Sequence, residues 1–263
     1  MTDTRTTAPV LATHQAHVTY RTPGGVVAAL TDVSLDVPAT GITVLAGPSG
    51  SGKSTLLRLL GLIERPTRGS VHLQGQPVSD LPHRRLRRLR RTRVAMVFQR
   101  PTDNLIDHLS VGDNLRAAAQ SAGRACVEQD LLERLGLAGT AAWAVTALSG
   151  GQQQRLAFGC ALARGPAVIL ADEPTSQLDT DSADLVLATL RELAGSDTPV
   201  VVASHDDRLI ALGQTVIRLH QGRRATPQPA TPEPDTPGAE PPGPDTPSAD
   251  TPEPTRTDED PTR

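Results

Sequence analysis

Lysine is almost absent from this sequence of 263 residues, in which Lys53 is the only lysine among 26 lysine and arginine side chains. It lies in residues 47–55, whose sequence GPSGSGKST matches the phosphate-binding pattern G-x-x-x-x-G-K-[ST]. Such a site needs a compact ammonium group on a flexible stem, because the planar guanidinium of arginine is bulkier and bonds differently. The single lysine therefore indicates a nucleoside triphosphate ligand.

Cysteines and long apolar runs are also scarce. The two cysteines, Cys126 and Cys160, lie in stretches typical of helices, so buried free thiols are favoured over a disulfide or a metal site. No apolar run reaches 18 residues, and the polar start of the sequence lacks the apolar core of a signal peptide. We therefore expect a chain that does not span a membrane and that stays in the cytoplasm.

The last part of the sequence lacks the residues that build a core. Residues 225–263 contain 12 prolines and nine carboxylates against two arginines, and no valine, leucine, isoleucine or aromatic residue. Such a segment cannot bury enough apolar surface to offset the entropy cost of ordering, so the sequence predicts a disordered acidic tail with a solubilising role. Docking or phosphorylation at its Thr-Pro pairs is the alternative. Without this tail, residues 1–224 are mildly basic, which fits work near anionic lipid or nucleotide.

Short apolar stretches alternate with helical patterns along the rest of the chain. Strands are predicted at residues 16–20, 26–30, 33–37, 42–46, 94–98, 168–171 and 200–203, with a hairpin at 69–75. Helical patterns occupy residues 54–60, 110–139, 152–164 and 181–194. Strands that alternate with helices favour an α/β fold with a largely parallel sheet.

Residues 83–93 are dense in arginine, with Leu86 and Leu89 three positions apart. This spacing favours a helix with one solvated, charged face. A nucleic-acid-binding patch is the alternative, but no aromatic residue is interleaved for stacking on bases.

The phosphate-binding pattern lies between a predicted strand, Ile42–Ala46, and a predicted helix that opens at Ser54. Gly50 and Gly52 allow backbone amides to point inward at phosphate oxygens, and the helix presents its positive end to the same anion. The hydroxyl of Ser54 can bind Mg²⁺. Strand, glycine loop and helix in this order make the motif specific.

A pair of carboxylates, Asp172 and Glu173, follows the apolar stretch 168–171. A carboxylate at such a strand end can hold Mg²⁺ directly or through water, and its neighbour can polarise an attacking water molecule. One acidic residue after a strand is a weak signal. Two of them after a phosphate loop, followed by Pro174, are a much stronger one.

Six motifs in one order then resemble the ATP-binding-cassette (ABC) ATPases. After the phosphate loop come Gln99, the sequence LSGGQ at residues 148–152, ADEP at 171–174, SQLD at 176–179 and SHD at 204–206. The resemblance covers residues 14–224. It implies an α/β fold of the P-loop NTPase type, with a parallel-sheet ATPase core, an antiparallel β subdomain and a helical signature subdomain. Residues 1–13 are then a flexible N-terminal segment and residues 225–263 the tail.

The resemblance also implies a set of site residues, with ATP and Mg²⁺ as cofactors. Glu173 matches the general base, His205 the switch histidine that contacts the γ-phosphate, and Gln99 the glutamine that senses Mg²⁺ and water. Ser54, Gln99 and Asp172 match the metal-binding positions. The residues that match nucleotide-binding positions are Tyr20, Gly47, Pro48, Ser49, Gly50, Ser51, Gly52, Lys53, Ser54, Thr55, Ser149, Gly150, Gly151, Gln152 and Asp179. Tyr20, the only tyrosine, matches the aromatic residue that stacks on adenine, and packing within its strand is the alternative.

Within the family the chain is similar to the lipoprotein-release and macrolide-efflux type. This implies a cassette that forms a homodimer head to tail around two ATP molecules, that drives a separate transmembrane permease in export or release, and that is peripheral on the cytoplasmic face of the membrane. No nucleic acid is expected as a partner. The alternatives are a non-transporting ATPase that acts on a membrane regulator, and one that acts on DNA or the ribosome.

Three segments depart from the pattern of this type. Thr40-Gly41 replaces a common Gly-Glu pair, and SQLD at residues 176–179 replaces the more usual GNLD. Residues 102–106, where the family docks its membrane partner, have an atypical composition. None of these changes alters a residue of the predicted hydrolytic set.

Overall fold

The structure is a computed structural model that describes residues 8–195 and 198–225. The predicted acidic tail, beyond Ala225, lies outside these residues, as do the first seven residues of the predicted N-terminal segment. The first described strand begins at Leu11, inside the segment predicted as flexible, because Leu11 and Ala12 are buried. No helix of the described part is long and apolar enough to cross a membrane.

One sheet is antiparallel and has four strands in the order β2-β1-β4-β5. They are β1 (Leu11–Thr22), β2 (Gly25–Val37), β4 (Arg68–Leu73) and β5 (Gln76–Pro77). The predicted strands 26–30 and 33–37 are one strand, since β2 continues through Asp32 in a left-handed conformation with φ of 54°. In the sequence pattern such a bulge looks like the end of one strand and the start of another, because the extra residue shifts the alternation of buried and exposed side chains.

The second sheet has six strands in the order β10-β9-β3-β8-β7-β6. Its strands are β3 (Ile42–Ala46), β6 (Val94–Val97), β7 (Val168–Asp172), β8 (Val200–Ser204), β9 (Thr215–His220) and β10 (Arg223–Arg224). All are parallel except β10. Every residue of β3, β6, β7 and β8 is buried, which explains why these strands read as short apolar runs. Their carboxyl ends meet at one edge of the sheet, where the predicted site residues follow.

Seven helices are described. They are α1 (Lys53–Leu60), α2 (His83–Thr92), α3 (Val111–Ser121), α4 (Glu128–Arg134), α5 (Gly150–Ala163), α6 (Thr180–Ala194) and α7 (Asp207–Ile210), with short 3₁₀ turns at Pro101–Asp103 and Val145–Ala147. The arginine-rich segment forms α2, with Leu86 buried and most arginines exposed. Each helix lies where the sequence predicted helical periodicity, apart from the short α7.

Two apolar clusters cover the two faces of the parallel sheet. One joins the sheet to α3, α4, α5 and α6, and the other joins it to α1 and the antiparallel sheet. Gly159 lets α5 pack closely, because a Cβ atom there would lie 2.4 Å from Cδ1 of Leu135. Cys160 lies in the first cluster, and its burial raises the pKa of the thiol to about 12. The predicted α/β fold, with parallel core, antiparallel sheet and helical part, is confirmed.

Candidate nucleotide site

The phosphate-binding loop, residues 47–52, joins β3 to α1 at the carboxyl edge of the parallel sheet. Gly47, Gly50 and Gly52 all have positive φ. A Cβ atom at position 47 would lie 2.3 Å from the carbonyl oxygen of Leu219, and one at position 52 would lie 2.9 Å from that of Ala29. Glycine is therefore required at both positions by backbone conformation and by space.

The ammonium group of Lys53 is held by its own loop. Nζ donates hydrogen bonds to the carbonyl oxygens of Gly47 (2.7 Å) and Pro48 (3.0 Å), and it lies 3.6 Å from Oε1 of Glu173. The side chain is only 6% exposed, so these oxygens compensate a largely buried charge. A phosphate group in the loop would meet a cation already held at the site.

Ser54 and Asp172 form the second contact of the site. The Ser54 hydroxyl donates a 2.9 Å hydrogen bond to Oδ1 of Asp172, across the gap between α1 and β7. Burial raises the pKa of Asp172, and the hydrogen bond from Ser54 partly opposes that shift. A divalent cation bound between the two side chains would favour the ionised form of Asp172. It would take the place of the hydroxyl hydrogen that now lies between the two oxygens. The described residues contain no group of three carboxylate, histidine or cysteine side chains that could hold a metal. Ser54 and Asp172 both offer oxygen atoms, and such a pair fits Mg²⁺, which takes few protein ligands and keeps phosphate oxygens and water.

Glu173 occupies a constrained position directly after β7. Its φ of 44° is rare for a residue with a side chain, and its backbone N–H donates to the carbonyl oxygen of Ala203 in β8. Nδ1 of His205 lies 3.0 Å from Oε1, and the Ser204 hydroxyl donates to Oε2 at 3.3 Å. The carboxylate is thus oriented by two residues at the end of the neighbouring strand, and the backbone that carries it is strained.

Gln99 is connected to Glu173 through Ser176. The side-chain amide of Gln99 donates to the Ser176 hydroxyl (3.1 Å), which donates to the backbone carbonyl of Glu173 (2.9 Å). Ser176 stands at the first position of the segment that departs from the family pattern. A serine at this position therefore adds a hydroxyl that links the Gln99 side chain to the backbone carbonyl of Glu173.

These side chains open onto one cavity of about 530 Å³. Its lining residues are Val27, Ala28, Ala29, Ser49, Gly50, Gly52, Lys53, Ser54, Thr55, Gln99, Glu173, Ser176, His205, Gln221 and Gly222. The structure thus brings the phosphate loop together with Gln99, Glu173 and His205. Gly47, Pro48, Ser51 and Asp172 lie directly behind this lining, in the same loop or bonded to Ser54.

Tyr20 lies beside this cavity and not among its lining residues. Its neighbour across the hairpin, Val27, does line the cavity, and so does Thr55. The ring is 37% exposed, and the pKa of the hydroxyl is raised by burial and by its hydrogen bond to Glu64. The ring therefore lies at the side of the cavity, next to two of its lining residues.

The predicted signature residues lie elsewhere. Ser149 caps α5 in a capping box with Gln152, whose side-chain oxygen accepts from the Ser149 backbone N–H at 2.9 Å. Asp179 caps α6 by accepting from the backbone N–H of Ser182 at 2.9 Å. A Cβ atom at Gly151 would lie 2.7 Å from Cβ of Ser182. The structure brings the signature and Asp179 together, but it does not bring them into the cavity that Lys53 lines.

Sequence reasoning missed part of the cavity wall. Residues 27–29 enter it because the β1–β2 hairpin folds over the loop, and Gln221 and Gly222 enter it through the turn after β9. The Gly222 N–H donates to the carbonyl oxygen of Ser51 and its carbonyl accepts from Thr31. The Gln-Gly pair signals a turn in the sequence, but only the fold shows that this turn supports the phosphate loop.

Comparison with known proteins gives one consistent result. The family described as "ABC transporter" matches residues 30–176. The macrolide export ATP-binding/permease protein MacB of Salmonella paratyphi A is 39% identical over 209 residues, which are 78% of this chain and 32% of that protein. The MacB protein of Burkholderia thailandensis is 41% identical over 213 residues, again 78% and 32%. The chain thus spans about a third of the length of these relatives.

Solved structures agree with the fold. The dimeric ATP-binding cassette MJ0796, in a post-hydrolysis state bound to ADP and phosphate, has a TM-score of 0.74 and 31% identity over 82% of this chain and 97% of that chain. CbiO1 from Clostridium perfringens, part of the ABC transporter complex cbiONQ, has a TM-score of 0.72 at 24% identity, with 83% and 88% covered. The second likeness supports the fold alone.

Proposed function

The chain belongs to the ABC transporter family, and from this membership we propose that it is the cassette whose cycle of ATP binding and hydrolysis drives a transmembrane permease. The chain is an ATP-binding cassette and an ATP hydrolase. The observation that carries the proposal is the convergence of Lys53, Ser54 and Glu173 on one cavity at the carboxyl edge of the parallel sheet.

We propose the following roles within that cavity. The loop amides and Lys53 bind the β- and γ-phosphates, and Ser54 with Asp172 holds Mg²⁺, which neutralises phosphate charge when bound. Glu173 accepts a proton from the attacking water, and His205 orients Glu173 and contacts the γ-phosphate. Gln99 senses Mg²⁺ and water in the site, and its hydrogen bond to Ser176 connects it to the backbone of Glu173. The contacts of Lys53, Ser54 and Glu173 described above support these roles, and substitutions of Lys53 and Glu173 test two of them.

We propose that two copies close head to tail around two ATP molecules. The backbone amides at the start of α5, next to Ser149, are an anion site in their own right, since a helix N-terminus favours a phosphate. This site does not face the cavity of its own chain. It completes a nucleotide site when a second copy is turned to present it, and the dimeric state of the MJ0796 cassette supports this arrangement.

We also propose that the chain acts together with a transmembrane permease that moves a cargo. The relatives combine an ATP-binding part with a permease, and they are named for macrolide export, which supports a permease partner and a role in export. The segment after Gln99 is the candidate docking surface, where Ile106 is 41% exposed. Docking there would place the chain at the cytoplasmic face of a membrane.

The test of the proposal is the oligomeric state of the Glu173→Gln protein, measured by size-exclusion chromatography with light scattering. We expect a monomer without nucleotide and a dimer with Mg-ATP, because ATP is bound but not cleaved. Glu192→Gln, an exposed glutamate on α6, is the matched control and should show no stable dimer. Intact ATP binding without any dimer would remove the symmetric two-site arrangement, and a different cassette or the permease would then be needed for closure.

A further inference from the structure

Glu64 ties Tyr20 to helix α1. The Tyr20 hydroxyl donates a 2.5 Å hydrogen bond to Oε2 of Glu64. The other carboxylate oxygen, Oε1, lies 3.8 Å from Nη1 of Arg58, a residue of α1. Because α1 begins at Lys53, the tyrosine of the β1–β2 hairpin is linked to the element that carries the phosphate loop.

Backbone geometry fixes Glu64 in this place. After the C-cap Gly61, Leu62 adopts φ of 57°, which reverses the chain at the end of α1. The backbone N–H groups of Ile63 and Glu64 then donate to the carbonyl oxygen of Arg58, at 3.0 and 3.3 Å. The carboxylate is therefore returned to the side of α1 that faces the hairpin, and it is only 23% exposed.

The Tyr20 ring needs such a support. It is partly exposed at the mouth of the cavity, and the strand neighbours alone do not fix the rotation of an exposed side chain. The hydrogen bond from its hydroxyl holds the far end of the ring against α1, next to Thr55 of the cavity wall. A ring held in this way offers a preformed face for stacking.

We propose that Glu64 is a positioning residue for nucleotide binding. It holds the Tyr20 ring at the cavity mouth, where the ring stacks on the base of the nucleotide. The inference rests on the proposed function, since it assumes that the cavity binds ATP and that the base leaves it beside Tyr20. A ring that is ordered before the ligand arrives lowers the cost of ordering on binding, so the effect lies in affinity and not in the chemical step.

The experiment compares Glu64→Ala, Glu64→Gln and Tyr20→Phe in the full chain, with steady-state ATP hydrolysis and competition by inorganic tripolyphosphate. Glu64→Ala and Tyr20→Phe should raise KM for ATP about three- to tenfold and lower kcat less than about twofold, because the ring remains but its anchor is lost. Glu64→Gln keeps an acceptor oxygen and should restore most of the affinity. Tripolyphosphate has no base, and its inhibition constant should stay unchanged in all three variants.

A double variant and a control complete the design. Tyr20→Phe combined with Glu64→Ala should be no weaker than either single variant, because both remove the same bond. Glu192→Ala, which removes a different exposed ion pair, should leave KM unchanged. An unchanged KM for Glu64→Ala would overturn the proposal, and so would an equal loss of tripolyphosphate affinity, which would place the effect in the phosphate loop. A wild-type chain that neither binds nor hydrolyses ATP would instead refute the proposed function.

Discussion

Nδ1 of His205 lies 3.0 Å from Oε1 of Glu173, and this relationship joins two strand ends into one site. The same carboxylate oxygen lies 3.6 Å from Nζ of Lys53. One carboxylate oxygen of Glu173, the proposed general base, therefore faces the residue after β8 and the first residue of α1, while the other accepts from Ser204 at the end of β8. The Glu173 carboxylate is oriented by its neighbours before any water is positioned. Preorganised sites avoid a reorganisation cost during the reaction in this way.

Glu173→Gln should retain ATP and lose turnover. The amide keeps the shape of the side chain and cannot accept the proton of the attacking water, so we expect kcat to fall by about 10²-fold or more. Phosphate release measures the rate and equilibrium dialysis measures ATP binding. Full ATPase activity in this variant would contradict the assignment of Glu173 as general base.

Lys53→Ala should weaken nucleotide binding itself. It removes the cation that the loop carbonyls hold at the phosphate site, and we expect at least about a tenfold rise in the dissociation constant of ATP. Lys53→Arg is the matched variant, because it keeps the charge on a bulkier, planar group, and it should restore binding only in part. Isothermal titration calorimetry decides the point, and unchanged affinity in Lys53→Ala would refute the role of this lysine.

Gly151→Ala should destabilise the junction of α5 and α6. The new methyl group would lie 2.7 Å from Cβ of Ser182, whose position is fixed by the backbone, so we expect a loss of about 1–3 kcal/mol in the free energy of unfolding. Gly150→Ala is the control, since its methyl would meet Cδ2 of Leu178 at an ordinary 3.6 Å. Urea denaturation of both variants tests the difference. Equal stability of the two would contradict the prediction and would show that α6 shifts to make room for the methyl group.

Cys160 should make stability depend on alkaline pH. Its thiol is buried in the core and its pKa is raised to about 12, against about 9 in the unfolded chain. The folded state therefore holds a proton that the unfolded state releases, so this contribution to stability is present below pH 9 and is lost as pH rises toward 12. Cys160→Ala should lose stability less steeply than wild type between pH 8 and 10.5 in urea denaturation. Cys126→Ala, which removes a partly exposed thiol, is the control, and identical slopes for wild type and Cys160→Ala would contradict the prediction.

The elements with strong local signals were predictable from the sequence. The apolar run at residues 42–46 predicts a strand before the phosphate loop, and β3 has those bounds, because a buried parallel strand is apolar throughout and ends here at a glycine loop. The division of β2 at Asp32 was wrong, since a bulge imitates a strand break in the pattern. The predicted roles of the site residues rest on motif order, and they stay predictions, of which the substitutions above test those of Glu173, Lys53 and Tyr20.

The sequence by itself determined the family, the ATPase activity and most of the helices and buried strands, because each depends on short motifs or on local periodicity. Strands β9 and β10 and helix α7 were not predicted. Only the tertiary structure decided which residues share a cavity. Residues 27–29 and Gly222 are far from Lys53 along the chain, and they reach it because a hairpin and a C-terminal turn fold over the loop. The contact of Tyr20 with Glu64 arises in the same way. Sequence patterns record the environment of each residue, whereas packing between distant elements depends on how their surfaces fit together.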